Sequence, residues 1–310
     1  MSNHQLNTAA PQTLSIQPPR AMCAADQLTA SPNGNYLLIQ YNCEAALFAV
    51  LQDVQTGKET TLARGYFLDW SPDGEWLLFR QTDEDAIWLV QAGTGSVQLL
   101  LNLPPGVYNA AFRSDGQTVV MASSRGLGLG SELGGYNLAA STYTLWQTFP
   151  QQVVAFPRWS PDGTKLAYIL MPDSNQPFTE GELWLADPTT GAPSQKLDSV
   201  DAGHGYPPAW SPDSHSLAYV RRENPDSVRA NHSATALRSN LYLADAISGQ
   251  TTPLTTFPDS LVYDITWSPV GTQMAFTADD AVWLLQLGQT PMQLTQNATA
   301  RHPAWLVDNN

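Results

Sequence analysis

Basic residues are scarce in this chain, with 14 Lys and Arg against 28 Asp and Glu among 310 residues and a formal net charge of −14. Such a field repels phosphate, which excludes nucleic acid and anionic membrane surfaces as partners. Charge of either sign is sparse, at 14% of residues, where a quarter is usual. No apolar run approaches the roughly 20 residues of a membrane-spanning helix, so no membrane span is expected. The opening residues, MSNHQLNTAAPQTLSIQPPR, lack the basic start and apolar stretch of an export signal. Segment 1–25, polar and Pro-containing, reads as a flexible leader. There are only five His and two Cys, with no His-x-His and no Cys-x-x-Cys, so no metal centre is expected. No stretch holds a convincing helical period.

What the chain has instead is a repeat. A turn motif appears as Ser31-Pro32-Asn33-Gly34, Ser71-Pro72-Asp73-Gly74, Arg113-Ser114-Asp115-Gly116, Ser160-Pro161-Asp162-Gly163, Ser211-Pro212-Asp213-Ser214 and Ser268-Pro269-Val270-Gly271. Its copies are 40, 42, 47, 51 and 57 residues apart, the length of one four-stranded propeller blade. An aromatic residue precedes the turn at Trp70, Phe112, Trp159, Trp210 and Trp267, and Trp305 fills the same slot near the C-terminus. Short apolar strands follow each turn, and a Thr-Gly or Ser-Gly hairpin recurs at Thr56-Gly57, Thr94-Gly95, Thr190-Gly191 and Ser248-Gly249. The fold class is therefore all-β. In a type I turn Ser suits the first position, Pro presets φ at the second, and Gly accepts the left-handed fourth. Asn33 and Val270 replace the Asp, which a turn tolerates and a ring of catalytic carboxylates does not. The motif is structural.

These columns resemble the TolB-like propeller repeat, a relative of the WD repeat, over about residues 26–306. The resemblance implies one six-bladed β-propeller of four-stranded antiparallel blades spanning 26–310, and it implies no single function. The sequence shows no counterpart of the domain that precedes the propeller in TolB. It also has no G-x-S-x-G elbow of the hydrolases that carry related propellers. Ring closure is left open between the C-terminal strand at 301–306 and the leader segment Thr13–Gln17.

Cys23 and Cys43 flank the first hairpin and face each other across it, one slot off at worst. Directly opposed strand residues can bring two Cβ atoms to disulfide distance. They form either a disulfide or a pair of small buried thiols. A disulfide would place the protein in an oxidising compartment, periplasmic or extracellular, and the alternative is cytoplasmic.

Three neighbouring blades carry the longest connections between second and third strands, at Ser124–Gly135, Met171–Gly181 and Glu223–Ser239. Loops on a rigid scaffold commonly carry binding. Arg221, Arg222, Arg229 and Arg238 cluster at the last of them, suited either to an anionic ligand or acidic partner or to salt bridges with carboxylates such as Glu223 and Asp226. A second group, Tyr66, Tyr108, Tyr206 and Tyr263 with His204, Asp264, Arg301 and His302, maps to the mouth of the central channel. It fits a binding surface or packing between blades equally. Gly126-Leu127-Gly128-Leu129-Gly130 lacks the helix and Lys of a phosphate loop, and no cofactor is expected. The expected function is a non-catalytic recognition scaffold, a monomer that holds a protein or peptide partner on the long-loop face. The alternative is an enzyme of lyase, cyclase or isomerase type with a small-molecule site at the channel mouth.

Overall fold

The computed structural model describes residues 23–43, 46–81, 86–101, 106–202, 206–296 and 301–306. Residues 1–22 of the leader and His204 lie outside them, while residues 23–25, read as leader from the sequence, open the first strand because they pair with the next one. A seven-stranded sheet runs in sequence order through β1 (Cys23–Ala30), β2 (Tyr36–Cys43), β3 (Ala46–Asp53), β4 (Glu59–Trp70), β5 (Trp76–Gln81), β6 (Ala86–Gln91) and β7 (Val97–Leu101). Four four-stranded antiparallel sheets follow. They comprise β8 (Val107–Phe112), β9 (Thr118–Ser124), β10 (Ser131–Asn137) and β11 (Thr142–Phe149), then β12 (Gln152–Trp159), β13 (Leu166–Pro172), β14 (Glu180–Ala186) and β15 (Pro193–Asp201). The last two are β16 (Ala209–Trp210), β17 (Ser216–Arg222), β18 (Ser239–Asp245) and β19 (Thr251–Pro253), then β20 (Val262–Trp267), β21 (Gln273–Ala278), β22 (Ala281–Gln286) and β23 (Met292–Gln293).

The large sheet is two four-stranded units sharing one strand. β4 pairs with β3 as far as Arg64, opposite Phe48, and with β5 from Gly65, opposite Gln81. Gly65 has φ +157, and a Cβ there would stand 2.0 Å from the Arg80 carbonyl oxygen. Only glycine lets the strand change partners at that point.

From the second unit onward the first strand of one unit packs on the first strand of the next, β4 on β8, β8 on β12, β12 on β16 and β16 on β20. The apolar faces are buried between successive sheets. One cluster, Leu38, Leu51, Trp70, Leu77 and Phe79, joins the two halves of the large sheet. Others hold Ile169, Leu183, Trp210 and Tyr219 between the β12–β15 and β16–β19 sheets, and Val220, Leu241, Met274 and Phe276 between that sheet and the last.

The repeated turns also link sheet to sheet. In three copies the Ser hydroxyl donates to the Asp Oδ1 at 2.5 Å, in the pairs Ser71–Asp73, Ser160–Asp162 and Ser211–Asp213. The same Oδ1 accepts the backbone N–H two residues on, at 3.0 Å. Neighbouring turns touch, through Asn33 Nδ2 to Asp73 O at 2.9 Å, Arg113 Nε to Gly163 O at 3.0 Å, and Asp162 N to Ser214 Oγ at 3.0 Å. The last turn has Val270 in place of the Asp, 51% exposed, and beside its backbone hydrogen bonds it keeps the Ser268 hydroxyl accepting Gln273 N–H at 3.1 Å. Val270→Asp restores both missing hydrogen bonds and is expected to stabilise the protein by about 0.5–1 kcal/mol. Thermal unfolding of the variant checks this, and an unchanged or lower midpoint refutes it.

Cys23 pairs with Cys43 in the register of β1 and β2, and their sulfurs are bonded, with Cα atoms 4.2 Å apart. At the other end of the chain, 301–306 forms no strand but repeats two features of the inner strands. The Trp210 indole N–H donates to Arg158 O at 3.1 Å, that of Trp267 to Ala209 O at 3.0 Å, and that of Trp305 to Thr266 O at 3.3 Å. Each acceptor directly precedes the aromatic slot of the sheet before. Phe156, Asp264 and His302 likewise share a positive φ of 50°, 55° and 58° at one repeat column. The C-terminal segment therefore sits next in the row after β20.

Candidate functional site

A bulge interrupts five inner strands two to four residues before the aromatic slot, between Ala25 and Gln27, Phe67 and Asp69, Val107 and Asn109, Ala155 and Arg158, and Tyr263 and Thr266. Bulges re-aim side chains, and here they turn polar groups toward a common axis. The result is a channel of about 740 Å³. Its wall includes Asp26 and Gln27 from β1, Phe67 from β4, Asn109 from β8, Arg158 from β12, Tyr206, Asp264 from β20, and His302.

One side of the wall is an aromatic and acidic group. Tyr206 stacks on Tyr263 with ring centroids 5.6 Å apart and planes 18° apart. The Tyr263 hydroxyl donates to Asp280 Oδ1 at 2.8 Å, and Arg301 Nη2 reaches the same oxygen at 2.7 Å. His302 Nδ1 lies 2.8 Å from Asp264 Oδ2, which Thr277 Oγ1 also approaches at 3.4 Å. Burial pushes both tyrosine hydroxyls well above their ordinary range, reinforced by Asp201 and Asp264 at Tyr206 and by Asp280 at Tyr263.

One column deeper, directly before the aromatic slots, Asp69 and Arg158 replace the Ala or Thr of other sheets. Arg158 lines the channel, and Asp69 lies near enough to feel its charge. Burial pushes the Asp69 carboxyl up to about 6, against the pull of Arg158 and of the Phe112 and Trp70 N–H groups. The Phe112 N–H donates to Asp69 Oδ2 at 2.7 Å. A carboxyl whose folded pKa is raised favours the fold while protonated. That contribution is complete below about pH 4 and is lost as pH rises through 6. Asp69→Asn is therefore expected to be more stable than the parent at pH 7.5, by ~1 kcal/mol, and equal to it near pH 4. Denaturant midpoints across pH 4–8 measure the difference, and a pH-independent gap would rule out titration of Asp69 as its source.

The second feature is a ridge on the face that carries the connections from second to third strand. Those loops are 125–130, 173–179 and 223–238. The first is shorter than its glycines imply, because Ser131–Asn137 is β10. Gly134 and Gly135 lie under the Tyr143 and Trp146 rings, so they make room for aromatics and belong to a strand. The three loops are cross-tied. Asp173 Oδ2 accepts the Gly130 N–H at 2.8 Å, and the Gly128 and Gly130 N–H groups hold its carboxyl below the usual range. Arg222, 3% exposed, donates to Phe178 O at 3.3 Å and Asn231 Oδ1 at 2.8 Å, which joins the second loop to the third. Arg238 Nε then meets Asp259 Oδ1 at 3.0 Å. Leu127, Leu129 and Val228 stand exposed on the ridge.

The residues singled out from the sequence thus divide. Tyr206, Tyr263, Asp264 and His302 come together at the channel, and Arg301 pairs with Asp280 beside Tyr263. Tyr66 is exposed, and the Tyr108 hydroxyl donates to the Val154 carbonyl between two sheets, packed on the core there. Three of the four arginines have structural partners. Arg221 pairs with Asp198 at 3.3 Å and lies 3.8 Å over the Tyr242 ring, while Arg222 and Arg238 tie the ridge. Arg229 is exposed. Sequence reasoning passed over Asp26, Asp69, Asn109 and Arg158. The signal for Asp69 and Arg158 was an ionisable residue in an inner-strand column otherwise held by Ala or Thr.

No protein-family model matches the chain, and no curated protein does. Solved structures match it in shape. TolB from Acinetobacter baumannii is 18% identical with a TM-score of 0.53, over 92% of this chain and 66% of that one. The β-propeller domain of the Trilobed protease from Pyrococcus furiosus, described as having an open velcro topology, is 12% identical with a TM-score of 0.61, over 89% and 86%. Oligogalacturonate lyase from Vibrio parahaemolyticus is 13% identical with a TM-score of 0.62, over 89% and 79%. Identities this low speak for fold alone, and the fold is that of a β-propeller.

Proposed function

We propose that the protein is a TolB-like recognition scaffold, a propeller of six four-stranded blades that holds a protein or peptide partner on its ridge face. Counting β4 once in each half of the large sheet yields six blades, in step with the six turn motifs. The observation that carries the functional reading is the cross-tying of three adjacent loops by Asp173 and Arg222, with Arg238 anchoring the third of them to Asp259. Loops tied in advance lose little entropy on binding. The apolar side chains of Leu127, Leu129 and Val228, 71%, 62% and 73% exposed, then supply contact surface, and Arg229 supplies a charge for an acidic segment. The Cys23–Cys43 bond suits an exported protein.

The test is capture from host lysate on immobilised protein, with Leu127→Ser/Leu129→Ser/Val228→Ser run beside it. A macromolecule retained by the parent and lost by the triple variant supports the reading. Retention of the same macromolecule by both, or of small molecules only, refutes it. The His302–Asp264 contact inside the channel favours a second reading, acid–base chemistry on a small molecule. Conversion of material from the small-molecule fraction, abolished by His302→Gln, would support it over the first.

A further inference from the structure

Arg158 has no role in the ridge and little in the fold. It lines the channel on β12, and Nη1 donates to the carbonyl of its own neighbour, Pro157, at 3.1 Å. Among the described residues its other N–H groups meet no acceptor and its charge forms no ion pair. Asp69 is near enough to feel that charge, but its Oδ2 is taken by the Phe112 N–H. Burial lowers the Arg158 pKa, against the pull of Asp69. A half-buried guanidinium with free donors presents a fork that matches a carboxylate.

The surroundings narrow the ligand. Asn109, on the neighbouring inner strand, lines the same channel, and its Oδ1 accepts the Phe156 N–H at 3.0 Å. The Nδ2 donors of Asn109 are left for a ligand. Asp264 and Asp26 lie nearer the ridge-side mouth, with the stacked Tyr206 and Tyr263 rings beside them. A dianion would meet these carboxylates and the field of a chain with net charge −14. A molecule with one carboxylate and one ammonium meets neither penalty, and ring faces favour a cation.

We propose that the channel binds a small amino-carboxylate. The carboxylate rests on the Arg158 guanidinium with Asn109 Nδ2 beside it, and the ammonium points to Asp264 and Asp26 past the Tyr206–Tyr263 pair. The volume of about 740 Å³ is of the size that holds small ligands. This site is independent of what the ridge binds, and it requires no reaction.

Calorimetric titration tests the proposal with a ladder of ω-amino acids from glycine to 6-aminohexanoate. Pentanoate, pentylamine and inorganic phosphate serve as the single-charge and dianion probes. At least one amino acid is expected to bind roughly tenfold tighter than the acid or the amine, with phosphate weaker still. Arg158→Met should weaken that binding about tenfold or more, and Arg158→Lys, which keeps the charge without the fork, should fall between. Asp264→Asn should weaken the amino acid while leaving pentanoate unchanged. Unaltered thermal unfolding of the Lys variant separates lost binding from lost fold. Absence of binding by every amino acid at millimolar concentration, tighter binding of phosphate, or parent-like binding by Arg158→Met overturns the proposal.

Discussion

Gly65→Ala is expected to cost the protein about 3 kcal/mol. The new Cβ would stand 2.0 Å from the Arg80 carbonyl oxygen and 2.7 Å from the Phe79 ring. Both belong to β5, which β4 begins to pair with at this residue. Relief requires the strand to move off its partner, which breaks the ladder that links the first two units. Gly57 is the control. It has φ +69, and an added methyl group there would meet nothing within 4 Å. Gly57→Ala should therefore cost only about 1 kcal/mol, from the backbone conformation alone. Urea midpoints of the two variants decide the matter. Equal losses would mean that steric contact at Gly65 contributes nothing beyond its backbone angle.

Loss of the Cys23–Cys43 bond is the second large effect. The bond closes a chain segment with a sequence separation of 20, and a loop of that length corresponds to about 3 kcal/mol of stabilisation in the chain-entropy account. The consequence is also local. Cys23, Leu28 and Cys43 pack against Ile39, Tyr41 and Val50, and β1 contributes Asp26, Gln27 and Leu28 to the channel wall. Cys23→Ser/Cys43→Ser should lower the unfolding midpoint and speed hydrogen exchange at the β1 amides, and reduction of the parent should do the same. A midpoint unmoved by both treatments would show that pairing in β1 and β2 holds the strand without help from the bond.

The sequence alone was sufficient wherever structure is decided by neighbours in the chain. Ser-Pro-Asp-Gly makes its turn with its own side chains, so Ser71, Asp73 and the amide of Glu75 satisfy one another without outside help. The register of the first hairpin follows from its turn as far as Gln27, and a bulge at Asp26 then brings Cys23 opposite Cys43, so numbering could place the pair to within one slot. The channel and the ridge were another matter. Arg158 and Asp69 come from sheets separated by a whole intervening sheet, and they sense each other only because the inner strands converge on one axis. Arg222 finds Phe178 on the preceding sheet, and Asp173 finds the Gly130 amide on the sheet before that. Gly134 and Gly135 read as loop because their composition is permissive. In the fold they are strand because Tyr143 and Trp146 on β11 need the space a Cβ would take. Local turn chemistry determined the repeat, and convergence of distant repeats decided which of its charges would be left facing the channel without a partner.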